Sequence, residues 1–259
     1  MSRPNINWFA FVLARPSMLR DMDDFPIMRS IGDTCLLVEF GQGVDPDIHR
    51  RAVAFAQRLR AAALPGIDDI VPSFTTVGLH FRPEALRTLP GQTPLAAVEA
   101  AARALLEAAN AAPLPEAREI EIPVCYGGDW GPDLGEVARR AGVAPEEIVR
   151  LHAQAPRSVF MVGFAPGHPY IGLWGEAFDL PRRATPRARV PAGTVGVANR
   201  QCVIYPFELP SGWNLIGRTP LRLFDPAAGE PCLLAPGDLV RFVPVGREDF
   251  ERLREQPDA

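Results

Sequence analysis

From Pro156 to the last strand near Val243, Pro and Gly recur every few residues and cut the chain into short runs of β-forming side chains. Pro removes a backbone donor and Gly a conformational restraint, so that half cannot hold ordinary helices; it predicts a compact β-barrel or sandwich. The 28 Pro and 22 Gly of the 259 residues are spread among periodic segments, which excludes a collagen-like or wholly disordered chain. With 47% hydrophobic residues the chain can bury a sizeable core.

The N-terminal half has a different texture. Residues 1–26 show no clear period and are treated as an extension, either disordered or an artefact of start-codon choice, with Met28 the alternative start. An α/β domain is expected over 27–115. It has a strand at 35–40, a helix capped by Asp45 with Pro46 at its first position and carrying Ile48, Ala52, Phe55, Leu59 and Ala63, strands near 69–71 and 75–81, and an alanine-rich helix from Thr93 to about Ala111. That is most of a ferredoxin-like plan, whose last strand could be 119–124, although this segment may equally open the next domain. Residues 112–115 read as the linker, 116–250 as the barrel domain, opening with helical segments near 133–141 and 145–155, and 251–259 as a C-terminal tail.

The chain contains no lysine, so all 27 of its Lys and Arg are arginine. Schiff-base and pyridoxal chemistry, a Walker-A loop and a protein kinase each need a lysine amine and are excluded. The formal charge of -4 gives no reason to expect nucleic acid. No stretch approaches the length of a membrane span. Four cysteines lie far apart without C-x-x-C spacing, which reads as reduced thiols in a cytoplasmic protein, and no histidine spacing suggests a metal.

Charge is concentrated in one segment. Between Arg157 and Arg222 there are eight arginines and three acids. Arg183, Thr185, Arg187 and Arg189 share parity, so an extended backbone would aim them to one side as a cradle for a carboxylate or phosphate; the alternative is a solvated face. The Gly- and Pro-dense loop 163–172 carries His168, a candidate general base or donor, or else a packed loop residue. Tyr170, Trp174, Tyr205, Phe207 and Trp213 could wall a pocket or fill a core. His49, His80 and His152 fall outside this region, where surface or packing roles are expected.

These segments also carry a resemblance. E-I-P-V-C-Y-G-G from Glu121, G-F-A-P-G-H-P-Y-I-G from Gly163, P-R-R-A-T-P-R-A-R-V-P-A-G-T-V-G from Pro181, Gln201 with Tyr205-Pro206, and G-W-N-L-I-G-R-T-P-L-R-L-F-D-P from Gly212 resemble the 5-oxoprolinase B-subunit family, also known as allophanate hydrolase subunit 1 or KipI-type. The resemblance spans about 28–245. It implies an α+β chain, with a small ferredoxin-like domain followed by a cyclophilin-like β-barrel. It also implies one component of an ATP-dependent complex that, with the A and C subunits, opens 5-oxo-L-proline to L-glutamate, ATP and any accompanying magnesium being shared with or held by a partner chain. Arg187, Arg189 and Arg218 are the expected anion ligands, with Thr185, Tyr170 and Tyr205 beside them, Gln201 as an orienting amide and His168 as a variant-specific substrate contact. The sequence departs from the usual pattern at His168, where the family has Phe, at Cys202 and Val203, and at Ser211. Those departures open the alternatives of another lactam or amide, a urea- or allophanate-type system, or a KipI-like inhibitor of a sensor histidine kinase. The inhibitor would present an apolar groove in place of an arginine-lined pocket.

Overall fold

The computed structural model describes residues 25–109 and 116–255; the expected linker and most of the N-terminal extension lie outside them. The first layer is a four-stranded antiparallel sheet in the order β1-β2-β4-β3, from β1 (Ile27–Ser30), β2 (Cys35–Glu39), β3 (Ile67–Ser73) and β4 (Thr76–Phe81). Helices α1 (Pro46–Ala62) and α2 (Pro94–Ala109) contribute to its core. The predicted cap is present: the Asp45 carboxylate accepts from the amides of Asp47 and Ile48 at 2.8 and 3.0 Å. Ile48, Ala52, Phe55 and Leu59 are buried against Leu36, Val38, Val77 and Leu79.

The ferredoxin-like expectation needs correction in one strand. The position beside β2 is taken by β1, a four-residue strand too short to show a period, and not by a strand after α2. Strand β5 (Glu119–Tyr126), the candidate for that place, joins the second sheet, running parallel to β13 (Leu239–Pro244) with Ile122 and Val124 fully buried in the barrel core.

That second sheet is a closed barrel of seven strands, in the order β10-β7-β6-β13-β5-β12-β9. The remaining strands are β6 (Arg157–Val162), β7 (Pro169–Gly172), β9 (Thr194–Ala198), β10 (Gln201–Ile204) and β12 (Asn214–Arg218). Strand alternation sorts the side chains. Cys202 and Ile204 of β10 lie in the barrel core with Val159, Ile171, Val195, Val197 and Ile216, whereas Val203 belongs to a separate outer layer with Tyr170, Tyr205, Trp213 and Leu215. A two-stranded ribbon, β8 (Arg187–Val190) with β11 (Leu209–Ser211), contributes Val190 and Leu209 to that layer. Helices α3 (Leu134–Ala141) and α4 (Pro145–Ala153) add Val137, Ala138 and Ile148 to the core. Residues 251–255, expected as tail, are instead the end of a helix, α5 (Arg247–Glu255), anchored by the buried Phe250.

His49 joins the two layers. It is fully buried on α1, with Nδ1 2.7 Å from the carbonyl of Phe74 in the sheet domain and Nε2 3.0 Å from that of Val159 on β6. Phe74 stacks on Phe160 at 5.5 Å and donates its amide to the Phe160 carbonyl. Burial pushes the His49 pKa down against the pull of the two carbonyls, so a neutral ring donates to one of them. Replacing His49 by Leu strips the carbonyl that receives the ring N–H of its donor. The expected cost is about 1–3 kcal/mol of unfolding free energy by urea denaturation; a loss under about 0.5 kcal/mol would show that the joint is held by apolar packing alone.

Candidate functional site

The turn after β5 is built by Gly127 and Gly128, both at positive φ. Gly131 then passes so close to the carbonyl of Ile216 on β12 that a side chain there would overlap it. This close approach brings Trp130 and Asp133 onto the barrel wall. Asp133 is buried, and its carboxylate accepts from four donors: two nitrogens of Arg187, each at 2.8 Å, one of Arg183 at 3.0 Å, and the amide of Leu215 at 2.7 Å. Burial pushes its pKa up. The hydrogen bonds from Arg187 and Leu215 and the two guanidinium charges outweigh that and hold it below the usual carboxylate range.

Beside this cluster lies a cleft of about 200 Å³, lined in part by Asp129, Trp130, Arg187, Arg189, Thr194 and Arg218. All three arginines expected as anion ligands therefore meet in one place, yet their states differ. Arg187 has both terminal nitrogens committed to Asp133. Arg189 is largely exposed and lies 3.3 Å from Glu208. Arg218 hydrogen-bonds the Ala192 carbonyl through Nε, and among the described residues it makes no ion pair. Burial, and then the charge of Arg254, lower its pKa, with Glu251 opposing. Arg218 is thus the cleft cation best placed to accept an outside anion.

The other expected residues are elsewhere. His168 is 1% exposed, edge-on to Phe164, Tyr170 and Tyr205 at ring distances of 5.1–5.3 Å. Neither ring nitrogen finds a partner in hydrogen-bonding geometry among the described residues; the nearby carbonyls of His168 and Gly163 only soften the effect of burial, which lowers its pKa to about 4. It is a neutral aromatic filler there and does not line the cleft, against the expectation of a base or substrate contact. Tyr170 is buried in the same outer layer, and the Tyr205 hydroxyl donates to Ser211 Oγ at 2.7 Å, which also accepts the Trp213 amide. Gln201 is buried on β10, and Thr185 is exposed in a bend before β8; neither lines the cleft. His152 is a core residue, stacked on Trp174 and hydrogen-bonded to the Tyr126 hydroxyl. Trp130 and Asp133 had no motif to mark them: their signal is the close-packed Gly131 between them.

A family model described as "Carboxyltransferase domain, subdomain C and D" matches residues 26–234. The 5-oxoprolinase B subunit of Bacillus subtilis (strain 168) is 35% identical over 232 residues, 88% of this chain and 97% of that protein. The 5-oxoprolinase B subunit of Escherichia coli O157:H7 is 43% identical over 215 residues, 83% and 94% of the two. The chain belongs to the 5-oxoprolinase B-subunit family. Among solved structures, the crystal structure of TTHA0988 in space group P212121 superposes with a TM-score of 0.70 at 36% identity, covering 85% of this chain but only 40% of that one. The first solved relatives are thus much longer proteins, of which this chain spans about 40%. No helix among the described residues is long and apolar enough to cross a membrane.

Within this family member, two substitutions test the electrostatics. Asp133→Asn leaves Arg183 and Arg187 without their carboxylate and should lower the unfolding free energy by about 3 kcal/mol, read from urea denaturation; an unchanged midpoint would contradict the buried cluster. His168→Phe removes two unpaired buried nitrogens, for a gain of about 1–3 kcal/mol at pH 7.5. Its folded pKa lies below the unfolded value of 6.5, so the unfolded chain binds the extra proton and wild-type stability falls as pH drops from 6.5 toward 4. The gain should therefore grow by about 2 kcal/mol at pH 5. A gain that does not change with pH would refute the neutral, buried imidazole.

Proposed function

We propose that the chain is the B component of a 5-oxoprolinase complex, working with the A and C subunits to hydrolyse the lactam of 5-oxo-L-proline to L-glutamate, coupled to ATP hydrolysis. The observation that carries this reading is the match to 5-oxoprolinase B subunits over nearly their whole length. The cleft supplies a role. A lysine-free chain binds anions with guanidinium groups, and a cleft lined by both Arg218 and Trp130 suits a small carboxylate with an apolar body. The regulatory alternative called for an apolar groove, and the cleft is lined by arginines instead.

The departures from the family pattern give no reason to prefer another lactam. His168, Val203 and Ser211 lie in or against the outer aromatic layer and Cys202 in the barrel core, none of them lining the cleft.

The same cleft is small for a nucleotide. Its roughly 200 Å³ is below the approximately 300–1,000 Å³ of pockets that enclose drug-sized ligands. Arg189 and Arg218 could contact a phosphate at its edge, but a partner chain would have to supply most of an ATP site. ATP, when bound, would provide the phosphoryl group that activates the amide. The test is glutamate release from 5-oxo-L-proline with this chain and the A and C subunits combined in every subset. Release that needs all three chains and ATP is the expected result. Full activity of the A and C subunits without this chain would overturn the proposal.

A further inference from the structure

The outer aromatic layer has an uncovered margin. Among the described residues, the large apolar side chains left exposed include two aromatic rings, Phe164 at 65% and Phe207 at 37%. Both border the same buried cluster. Phe164 lies edge-on to His168 at 5.3 Å, His168 lies edge-on to Tyr205 at 5.1 Å, and Phe207 follows Tyr205 by two residues. Trp130 at the cleft, by contrast, is already covered by Phe250 and Arg247 of α5, at 4.1 and 5.3 Å.

Phe164 is held outward against its own backbone preference. Its φ is 74°, in the left-handed region that bulky side chains avoid. Two hydrogen bonds fix the loop there: the Gly163 amide donates to the His168 carbonyl at 3.0 Å, and the His168 amide to the Ala165 carbonyl at 3.1 Å. Phe74 also has a positive φ, but its ring packs against the outer layer and stacks on Phe160. Phe164 finds no such cover within its own chain. A strained residue that keeps an aromatic ring in water suits an anchor for another surface.

This margin adjoins the cleft. Glu208, next to Phe207, lies 3.3 Å from Arg189, a lining residue. The cleft is too small to enclose a nucleotide by itself, and in the crystal structure of TTHA0988 the counterpart of this chain is only 40% of one longer polypeptide. We propose that Phe164 and Phe207 are docking anchors for a partner subunit of the complex, which receives the two rings in an apolar pocket and so reaches the open edge of the cleft. This rests on reading the chain as one component of a multi-subunit enzyme.

Phe164→Asn removes the ring and tolerates the left-handed backbone, and Phe207→Ser removes the second anchor. Both positions are exposed, so thermal midpoints should match the wild type. Calorimetry of the full chain against the A and C subunits, singly and together, reads the docking. The wild type should bind, and Phe164→Asn should weaken that affinity by about tenfold or more, with Phe207→Ser shifting it the same way. Leu89→Ser, at an exposed apolar residue of the sheet domain, should not. Glutamate release by Phe164→Asn should recover as the partner subunits are raised in concentration. Wild-type affinity in both Phe variants overturns the inference, as does an equal loss in Leu89→Ser or release that stays depressed at saturating partner. Self-association of the wild type that Phe164→Asn abolishes would make a second copy the occupant and overturn it too. A wild-type chain that binds neither subunit is the separate failure of the functional reading, and the inference falls with it.

Discussion

A buried carboxylate, Asp133, organises the wall of the arginine-lined cleft. Asp133 ties Arg183 and the β8 ribbon to the barrel and accepts an amide of β12, so three separate stretches of chain converge on one charge. A buried carboxylate without partners would be costly; with two guanidinium groups and an amide it becomes a fixed anchor. The cleft exists because β8, β12 and the segment from Asp129 to Asp133 are pinned together there. Arg187 is taken by Asp133, whereas Arg218 makes no ion pair among the described residues.

The absence of lysine gives this arrangement its form. A guanidinium presents a planar fork, which is how Arg187 reaches both oxygens of Asp133 at 2.8 Å, and it stays charged even when half-buried. Three of the four histidines are held neutral by burial. His152 and His168 have pKa values lowered to about 3 and about 4 by burial, and His49 is lowered at the joint between the layers. The electrostatics of the cleft is therefore a balance of arginines against carboxylates.

Regular elements were legible in the sequence where the period was long enough to show. The Asp45 cap and the apolar stripe of α1 placed that helix, and the Pro and Gly punctuation announced a barrel or sandwich, which is a closed barrel. Strand β1 escaped because four residues carry no period, and β5 was ambiguous because alternation says which face is buried but not which sheet will bury it. At the cleft, parity correctly grouped Arg187 with Arg189 and Arg183 with Arg187, but Thr185 falls in a bend outside the regular strand. Parity also could not reveal that a carboxylate 54 residues away would claim Arg187. His168 looked catalytic because a histidine among Gly and Pro is conspicuous; its environment of Phe164, Tyr170 and Tyr205 is that of a packed aromatic ring. Trp130 had no local signal, since its place depends on the glycine beside it and on a helix that starts 117 residues later.

The division of labour between Arg187, which holds the cleft, and Arg218, which receives the ligand, is the central claim, and a paired comparison of Arg187→Gln and Arg218→Gln tests it most directly. Urea denaturation and the oxoproline KM of the assembled complex are measured for both. Arg187→Gln should lose about 2–4 kcal/mol of stability, with its folded fraction keeping kcat; Arg218→Gln should keep its stability and raise KM by about tenfold or more. The reverse pattern, a stable Arg187→Gln with impaired binding beside an Arg218→Gln with normal KM, would contradict the account.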